Sequence, residues 1–352
     1  MIKATFTKAK QFYEKYDRWF LPATLLIGFI VDVITFKSLQ IETTFLLLGA
    51  YAILAGASIV YIHGYDGRTE PPKKVVFKWL RLAAPAISSF SFGSLFSSSL
   101  LFYWFAGSLT ASWPIIIAIA ILMVTSEVFK KFYLRETVQV GIFAFTLFSY
   151  FSILFPFFLS SLSAWVFLLG GFVSFMVTMI LVIALRRWSP TAKTRKRRHY
   201  AVIITIFAGM NALYFLNIIP PLPLAIRDAG VYYKVERTAD GYTLTGDQET
   251  FPASIIPGQT VKAPADGVLY IYAEIFAPAK LTTTIYHRWE YKDPSTNKWV
   301  LRARPSYAIR GGRAEGYRGY TKNTHILPGQ WRVTVETERG QSLGRIPFTV
   351  VE

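Results

Sequence analysis

The C-terminal third of the 352-residue chain contains arginines and tyrosines with the chemistry of an anion-binding surface. They are Arg302, Arg304, Arg310, Arg313, Arg318, Tyr307, Tyr317 and Tyr320. Guanidinium groups bind phosphate and carboxylate through paired hydrogen bonds, and tyrosine rings pack against sugars. These residues predict a site for an anionic glycan, a lipid headgroup or an acidic partner protein. The simpler alternative also stays open, because loops and exposed strand faces gather charge without function.

Two polar residues within apolar stretches could serve a different chemistry. Asp32 lies in the first apolar segment of the chain, and Asn211 lies in the last. A carboxylate in a bilayer costs roughly 2.5–3.5 kcal/mol, so it is expected to face other helices or a wet cavity. Asp32 could therefore relay protons or cations in a transporter or channel. Alternatively, it lies near the interface within reach of Lys37, because its segment is short.

The residues that most metal sites and many enzymes use are scarce. Cysteine is absent, which excludes disulfides, thiolate catalysis and cysteine-ligated metals. The four histidines are scattered without a pair spaced four residues apart, so no metal site and no cofactor are predicted. No nucleophile elbow or phosphate-binding loop occurs. The sequence therefore gives no positive reason to predict an enzyme.

Composition indicates a membrane protein with a water-soluble part, because 53% of the residues are hydrophobic. Seven apolar segments occupy about 19–36, 43–62, 82–105, 111–128, 138–158, 164–185 and 201–219. Roughly 20 helical residues cross a hydrocarbon core of about 30 Å, and helices satisfy their own backbone groups in lipid. We therefore predict an α-helical bundle of seven transmembrane helices at 19–219, after a basic N-terminal segment at 1–18.

Basic residues are distributed unevenly between the loops of this predicted bundle. Lysine and arginine gather before the first segment and after the second, fourth and sixth, whereas the other loops contain only Lys37. Cytoplasmic loops are enriched in these residues, so the N-terminus is predicted to be cytoplasmic and the C-terminal domain to lie outside. Most of the net charge of +17 then belongs to cytoplasmic loops. The lipid bilayer is therefore the expected partner, and nucleic acid is not.

The last part of the chain has the alternating pattern of β-strands. A proline-rich linker at 220–227 precedes it. Within 284–291, Ile285, His287 and Trp289 share one face, so His287 is predicted to be a core histidine rather than a ligand. Turn signals separate about seven short strands in roughly 120 residues, which is typical of an immunoglobulin-like sandwich. We therefore predict an all-β immunoglobulin-like sandwich domain at 228–352.

Several short strings in this region resemble a known domain. They are His287–Trp289, Gly311–Arg313, Gly316–Thr321, Pro328–Val333 and Leu343–Arg345. Together they resemble a C-terminal domain of unknown function that follows multi-span membrane regions in an uncharacterised family of Gram-negative bacteria. The resemblance covers about 270–352. It implies an inner-membrane protein with a periplasmic domain, and it implies no activity and no catalytic residues.

These observations lead to three hypotheses about function. The first is an integral inner-membrane protein that displays a periplasmic β-sandwich domain to bind an envelope protein or an anionic glycan or lipid. The main alternative is a transporter or channel in which the helical bundle is the working part. The third is a membrane enzyme of envelope lipid or glycan metabolism, which a lipid-sized cavity near Asp32 and Asn211 would favour.

Overall fold

The computed structural model describes residues 27, 30, 41–70, 72, 74–105, 109–128, 133–220, 224–238, 241–246, 259–264, 266–277, 281–311 and 316–352. The chain divides into two compact units. The helical unit comprises Met1–Leu101, Ile116–Phe155 and Ala164–Ala212. The β unit comprises Phe102–Ile115, Pro156–Ser163 and Leu213–Glu352.

Seven helices lie in the described residues. They are α1 (Ile41–Asp66), α2 (Val75–Phe105), α3 (Leu109–Val128), α4 (Glu136–Phe158), α5 (Ala164–Trp188), α6 (Pro190–Thr194) and α7 (Lys196–Phe215). Ser189 caps α6, since its hydroxyl accepts a hydrogen bond from the backbone N–H of Ala192 at 3.4 Å. Pro190 occupies the first turn of this helix, where proline needs no backbone N–H.

Four of the helices in the described residues are long and apolar enough to cross a membrane. These spans are Glu42–Asp66, Val75–Tyr103, Glu136–Phe158 and Ala164–Trp188. Helix α3 contributes only a shorter apolar stretch, Trp113–Met123. Helix α7 opens with Lys196, Arg197 and Arg198, which lower its mean hydropathy. The predicted count of seven spans is therefore not confirmed, and nearly all of the first predicted segment, 19–36, lies outside the described residues.

Helices α4 and α5 approach each other closely within the helical unit. A Cβ atom at Gly170 would lie 2.9 Å from the carbonyl oxygen of Phe151, so only glycine fits without displacement. The rings of Phe148 and Phe167 pack beside this contact with centroids 5.4 Å apart. Small residues commonly allow membrane helices to pack backbone to backbone, and Gly170 allows this close approach here.

The β unit contains eleven strands in its described residues. They are β1 (Ala225–Tyr232), β2 (Lys234–Thr238), β3 (Gly241–Thr245), β4 (Gln259–Lys262), β5 (Leu269–Phe276), β6 (Thr282–Lys292), β7 (Trp299–Ala303), β8 (Ser306–Arg310), β9 (Tyr317–Asn323), β10 (Gly329–Thr337) and β11 (Ser342–Val351). A three-stranded sheet has the order β1-β5-β9, and a six-stranded sheet has the order β4-β11-β10-β6-β7 with β8 also paired to β6. Strands β2 and β3 form a separate hairpin.

Side chains from the two larger sheets share one hydrophobic core. Ile271 and Ile275 of β5 enter it from the three-stranded sheet, and Trp289, Trp331 and Phe348 enter it from the six-stranded sheet. Period-two alternation then directs the intervening residues of β6, β10 and β11 to the opposite face. The prediction of a C-terminal β region is confirmed, whereas the immunoglobulin-like assignment is not.

Candidate anion-binding face of the β unit

The face of the six-stranded sheet opposite the core contains a cluster of arginines and glutamates, which we call the arginine face. It consists of Arg288, Glu290, Arg304, Arg332, Glu336 and Arg345. Strands β6, β10 and β11 are neighbours in the sheet, so their outward side chains form adjacent rows. Strand pairing therefore positions five of the six residues, whereas Arg304 lies in the short connection between β7 and β8.

Glu290 is the best-paired carboxylate of the arginine face. It stands directly opposite Arg332 in the β6–β10 register. Arg332 donates from Nε to Oε2 at 2.8 Å and from Nη2 to Oε1 at 3.0 Å, which is a two-pronged ion pair. Arg288 Nη2 lies 3.7 Å from the same Oε2. Burial opposes ionisation, but the Arg332 hydrogen bond and the nearby guanidinium groups hold the pKa of Glu290 below its usual range.

Glu336 has a similar position two pairs further along the same face of the sheet, opposite Tyr286. Its side chain is almost fully buried, and its Oε1 accepts a hydrogen bond from Arg304 Nε at 2.9 Å. Its Oε2 lies 3.5 Å from Arg288 Nε, so Arg288 bridges the two carboxylates. A buried carboxylate needs such partners because its desolvation is costly.

Aromatic rings hold two of these guanidinium groups in place. The Arg332 guanidinium lies over the Trp299 ring at 4.2 Å, and the Arg304 guanidinium lies over the Tyr286 ring at 4.2 Å. Cation–π contacts of this kind stabilise the positive charge and restrict the orientation of the guanidinium group. The fold itself therefore fixes the orientation of these two guanidinium groups, without a ligand.

Arg345 completes the arginine face from β11. It stands opposite Thr334, and Thr334 stands opposite Arg288 on the other side. Burial and the Arg332 charge lower the pKa of Arg345, while Glu290 opposes that shift. Within the described part of the chain, Arg345 Nε and Thr334 Oγ1 are buried without a hydrogen-bond partner. The face therefore has hydrogen-bonding capacity that its own carboxylates leave unused.

The charge balance of the arginine face favours an anion. Four guanidinium groups surround two carboxylates, which leaves an excess of two positive charges. The side chains of Arg288 and Arg304 remain about one-third exposed, at 35% and 36%. A phosphate or carboxylate at this face would meet fixed, partly accessible donors.

The arginines predicted from the sequence are distributed over two sheets. Arg304 belongs to the arginine face, and Arg302 lies over the Tyr291 ring at 5.3 Å. Arg318 donates from Nε to Glu274 Oε2 at 3.0 Å on the three-stranded sheet. Arg310 is exposed at the end of β8. Arg313 lies outside the described residues.

The predicted tyrosines are likewise not gathered on one surface. Tyr307 points inward, and its hydroxyl lies 3.2 Å from His287 Nε2. Tyr317 packs against the hydrophobic core. Tyr320 is on the outer side of β9, where its ring packs against Tyr242 and Tyr270 at centroid distances of 5.9 Å each. The described members of the predicted arginine and tyrosine set, which exclude Arg313, thus lie on different surfaces of the β unit.

His287 is a buried core residue, as predicted. Its Nδ1 lies 2.8 Å from Thr321 Oγ1, which also accepts a hydrogen bond from Trp289 Nε1 at 3.3 Å. Tyr307 contacts the other ring nitrogen. Burial lowers the pKa of His287 to about 3, so the ring is neutral at physiological pH. The histidine joins the two sheets through hydrogen bonds and is not available to a ligand.

Asn211 and Asp32 are the two polar candidates within the predicted membrane segments. Asn211 is in α7, where its Nδ2 donates to the carbonyl oxygen of Phe207 at 2.7 Å. Its Oδ1 is buried without a partner among the described residues. Asp32, on which the transporter alternative depends, lies outside the described residues.

Comparison with known proteins found one family whose matched segment contains the arginine face. Residues 282–350 match a family described as "Protein of unknown function (DUF2914)". This segment runs from β6 to β11 and contains all six residues of the arginine face. The match covers the last part of the chain and describes no activity. A comparison with curated proteins found no match.

Two solved structures show a distant likeness to this chain. One is a mutant β-glucosidase from Listeria innocua in complex with laminaribiose, at 11% identity and a TM-score of 0.20 over 36% of this chain and 16% of that chain. Another is an alkylpurine DNA glycosylase from Pseudomonas fluorescens bound to DNA with an abasic site analogue, at 9% identity and a TM-score of 0.24 over 86% of this chain and 97% of that chain. TM-scores this low carry no structural or functional conclusion.

Sequence reasoning missed most of the arginine face. Arg288 and Glu290 alternate with the apolar residues of β6, which is a visible signal for an outward row. Their partners Arg332 and Glu336 come from β10, more than 40 residues later. Only the register of β6 with β10 brings these residues together, and a single sequence does not reveal that register.

Proposed function

We propose that this chain is an integral membrane protein that displays a β unit whose arginine face binds an anionic partner. Four apolar helices support membrane insertion. The observation that carries the binding proposal is the excess of two guanidinium groups over carboxylates on a face preorganised by Trp299 and Tyr286. Ligands of this chemistry are proteins, glycans or lipids with closely spaced carboxylates or phosphates.

We further propose that the chain crosses the bacterial inner membrane seven times, with a cytoplasmic N-terminus and the β unit in the periplasm. The support is the distribution of lysine and arginine between alternate loops. Two C-terminal reporter fusions test this topology, one active only in the periplasm and one fluorescent only in the cytoplasm. Periplasmic activity alone is expected, and cytoplasmic fluorescence would overturn the proposed topology.

The binding proposal is tested on the full-length protein in nanodiscs of phosphatidylcholine, a lipid without net charge. Inorganic polyphosphate and poly-L-glutamate serve as phosphate-rich and carboxylate-rich probes. Arg345→Gln removes a guanidinium whose Nε has no partner in the described chain, and Arg310→Gln removes an equal charge from the exposed end of β8.

We expect Arg345→Gln to weaken probe binding about tenfold, since a charge-assisted hydrogen bond contributes about 1.5–3 kcal/mol. Arg310→Gln should change binding less than about threefold, because isolated surface charges contribute little. Titration by isothermal calorimetry at two salt concentrations measures both. Equal losses in the two variants would assign binding to general charge and contradict a role for the arginine face.

A further inference from the structure

A groove of about 570 Å³ lies on the helical unit where the ends of α1 and α5 meet the start of α2, and we call it the α1–α5 groove. Most of its lining comes from residues 56–68 and 177–188, with Phe77 from α2 and Phe143 from α4. Its volume is within the range of roughly 300–1,000 Å³ that is usual for ligand pockets. Helices α1, α2 and α5 all contain spans long enough to cross a membrane, so the groove lies at one end of three such spans.

Arg68 and aromatic residues form one end of the α1–α5 groove. Arg68 lies two residues beyond the end of α1 and is exposed, and its guanidinium lies over the Trp188 ring at 5.8 Å. Tyr65 also lines this end, and its ring centroid is 6.1 Å from that of Tyr61. Tryptophan and tyrosine at the ends of membrane spans are typical of the level of the lipid headgroups. This end of the groove therefore suits a headgroup phosphate, which a guanidinium group binds well.

Contacts between α1 and α2 fix this end of the groove. The Tyr61 hydroxyl donates to the carbonyl oxygen of Phe77 at 2.8 Å. Asp66, the last residue of α1, accepts hydrogen bonds from Arg81 Nε at 2.8 Å and from Arg81 Nη2 at 2.6 Å. The Asp66 carboxylate is therefore paired with α2, and no acidic residue is among the described lining of the groove. A phosphate beside Arg68 would thus meet no carboxylate within that lining.

The rest of the α1–α5 groove is an apolar wall that follows α1 and α5 away from Arg68. Val60 of α1 and Val177, Ile180 and Leu181 of α5 belong to it, and Ile180 is 64% exposed. The stretch of α5 from Val177 to Trp188 is about 16 Å long at 1.5 Å per residue. A hydrocarbon core is about 30 Å thick, so this length is about the depth of one leaflet. The apolar wall therefore matches an acyl chain of a lipid from a single leaflet.

We propose that the α1–α5 groove binds one phospholipid, with its phosphate at Arg68 and an acyl chain along the apolar wall. Opposite charges select the phosphate end, and the length and apolar character of the wall select the chain. A soluble phosphate compound would leave the apolar wall without a contact, and an uncharged lipid would leave Arg68 without one. This inference rests on the membrane insertion proposed above and is independent of the arginine face.

Lipid retention by the full-length protein in detergent, measured by native mass spectrometry, tests this proposal. The probes are phosphatidylglycerol and diacylglycerol with identical acyl chains, and glycerol 3-phosphate as the free headgroup. Ala57→Phe places a ring in the groove, at an exposed residue of its lining. The matched control is Ala50→Phe, which adds the same ring at an exposed residue outside the lining, on the same face of α1 and about two turns away.

We expect Ala57→Phe to retain about fivefold less phosphatidylglycerol than the wild type, and Ala50→Phe to stay within about twofold. The wild type should retain about fivefold more phosphatidylglycerol than diacylglycerol and should not retain glycerol 3-phosphate. Equal retention by the two variants would overturn the acyl-chain contact, and equal retention of the two lipids would overturn the phosphate contact. Retention of glycerol 3-phosphate would overturn the assignment to a lipid, because the site would then bind a free anion.

A second pair of variants tests the phosphate contact at exposed positions, and it decides the question if Ala57→Phe does not fold. Arg68→Gln removes the charge at the end of the groove, whereas Arg187→Gln removes an equal charge from the last turn of α5 outside the lining. Only Arg68→Gln should lower phosphatidylglycerol retention, by about fivefold, and its diacylglycerol retention should equal that of the wild type. Equal phosphatidylglycerol retention by the two variants would overturn the phosphate contact.

Alkaline carbonate extraction of membranes that contain the wild-type protein separates this inference from the proposed membrane insertion. We expect the protein to stay in the membrane fraction. Release by carbonate would contradict membrane insertion and the lipid site together. A protein that stays in the membrane, but whose four variants all retain phosphatidylglycerol equally, would contradict the lipid site alone.

Discussion

The two arginine clusters of this molecule differ in the acidic residues around them. On the arginine face, each of two buried glutamates contacts two guanidinium groups, and aromatic rings orient Arg304 and Arg332. In the helical unit, Arg135, Arg195 and Arg198 line a pocket of about 730 Å³ that has no acidic residue among its described lining. Two carboxylates of the same sheet therefore neutralise half of the charge of the arginine face and fix the positions of its guanidinium groups.

This difference predicts different costs of mutation. Removing a carboxylate from the arginine face leaves guanidinium groups partly buried without a partner, which destabilises the β unit. Arg195 and Arg198 are exposed, so their removal is expected to change stability little.

Acid should weaken the β unit, because His287 is buried in the neutral form. Its pKa falls from an ordinary value of about 6.5 to about 3, so the unfolded state takes up a proton first as the pH drops. The stabilisation is complete above about pH 6.5 and is lost progressively towards pH 3. Between pH 6.5 and 4 we expect a loss of about 3 kcal/mol. Hydrogen exchange of the full-length protein, followed at peptides from β6, measures it.

The control for this prediction is His287→Gln. That variant is less stable at neutral pH because it loses hydrogen bonds to Tyr307 and Thr321, but its stability should depend less on pH in the same range. Glu290 adds a smaller acid dependence in the same direction, since its lowered pKa means that its stabilisation is lost as pH falls through that value. An unchanged pH slope in His287→Gln would contradict the assignment to His287.

Glu290→Ala should destabilise the β unit by about 2–3 kcal/mol. Breaking a buried ion pair from one side costs roughly 3–5 kcal/mol, and the partial exposure of the arginines reduces that value. Urea unfolding of the full-length protein, followed by hydrogen exchange at β10, gives the free energy. Glu236→Ala is the control, because it removes an exposed ion pair with Lys234 at 2.7 Å. A loss in Glu236→Ala as large as in Glu290→Ala would refute the distinction between buried and exposed pairs.

Arg332→Lys should have a smaller effect, about 1–2 kcal/mol, although the charge is kept. Lysine cannot form the two-pronged contact with Glu290 or stack on Trp299 as a planar group. Arg310→Lys, at an exposed position, should change stability by less than about 0.5 kcal/mol. Thermal unfolding of both variants in the same detergent provides the comparison. Wild-type stability in Arg332→Lys would show that charge alone organises the face.

The sequence specifies local alternation well and long-range pairing poorly. The period-two pattern of 284–291 correctly separates the core residues His287 and Trp289 from Arg288 and Glu290 on the other face. The contact between Glu290 and Arg332 depends on the register of β6 with β10, which hydrophobic pattern alone does not specify. Tyr307 was predicted in a binding site, but burial of its strand against β9 directs the ring into the core, where it contacts His287.

The same limit applies to the helical unit. Apolar length predicts the four long spans directly. The basic run from Arg195 to Arg198 predicts a cytoplasmic loop, and nothing in its spacing shows that two of its arginines line the same pocket as Arg135. That arrangement depends on how α4 and α7 pack, with Gly141 against Val202, where an added Cβ would lie 2.8 Å from Val202 Cγ1. Helix–helix packing is a tertiary property that hydropathy does not encode.

Binding of inorganic polyphosphate tests the difference between the two clusters most directly. It is measured on Arg345→Gln and on the double variant Arg195→Gln with Arg198→Gln. We expect Arg345→Gln to lose binding about tenfold, because it removes a guanidinium of the arginine face, and the double variant to stay within about threefold of the wild type. An equal or larger loss in the double variant would contradict binding at the arginine face and would leave only a general effect of positive charge.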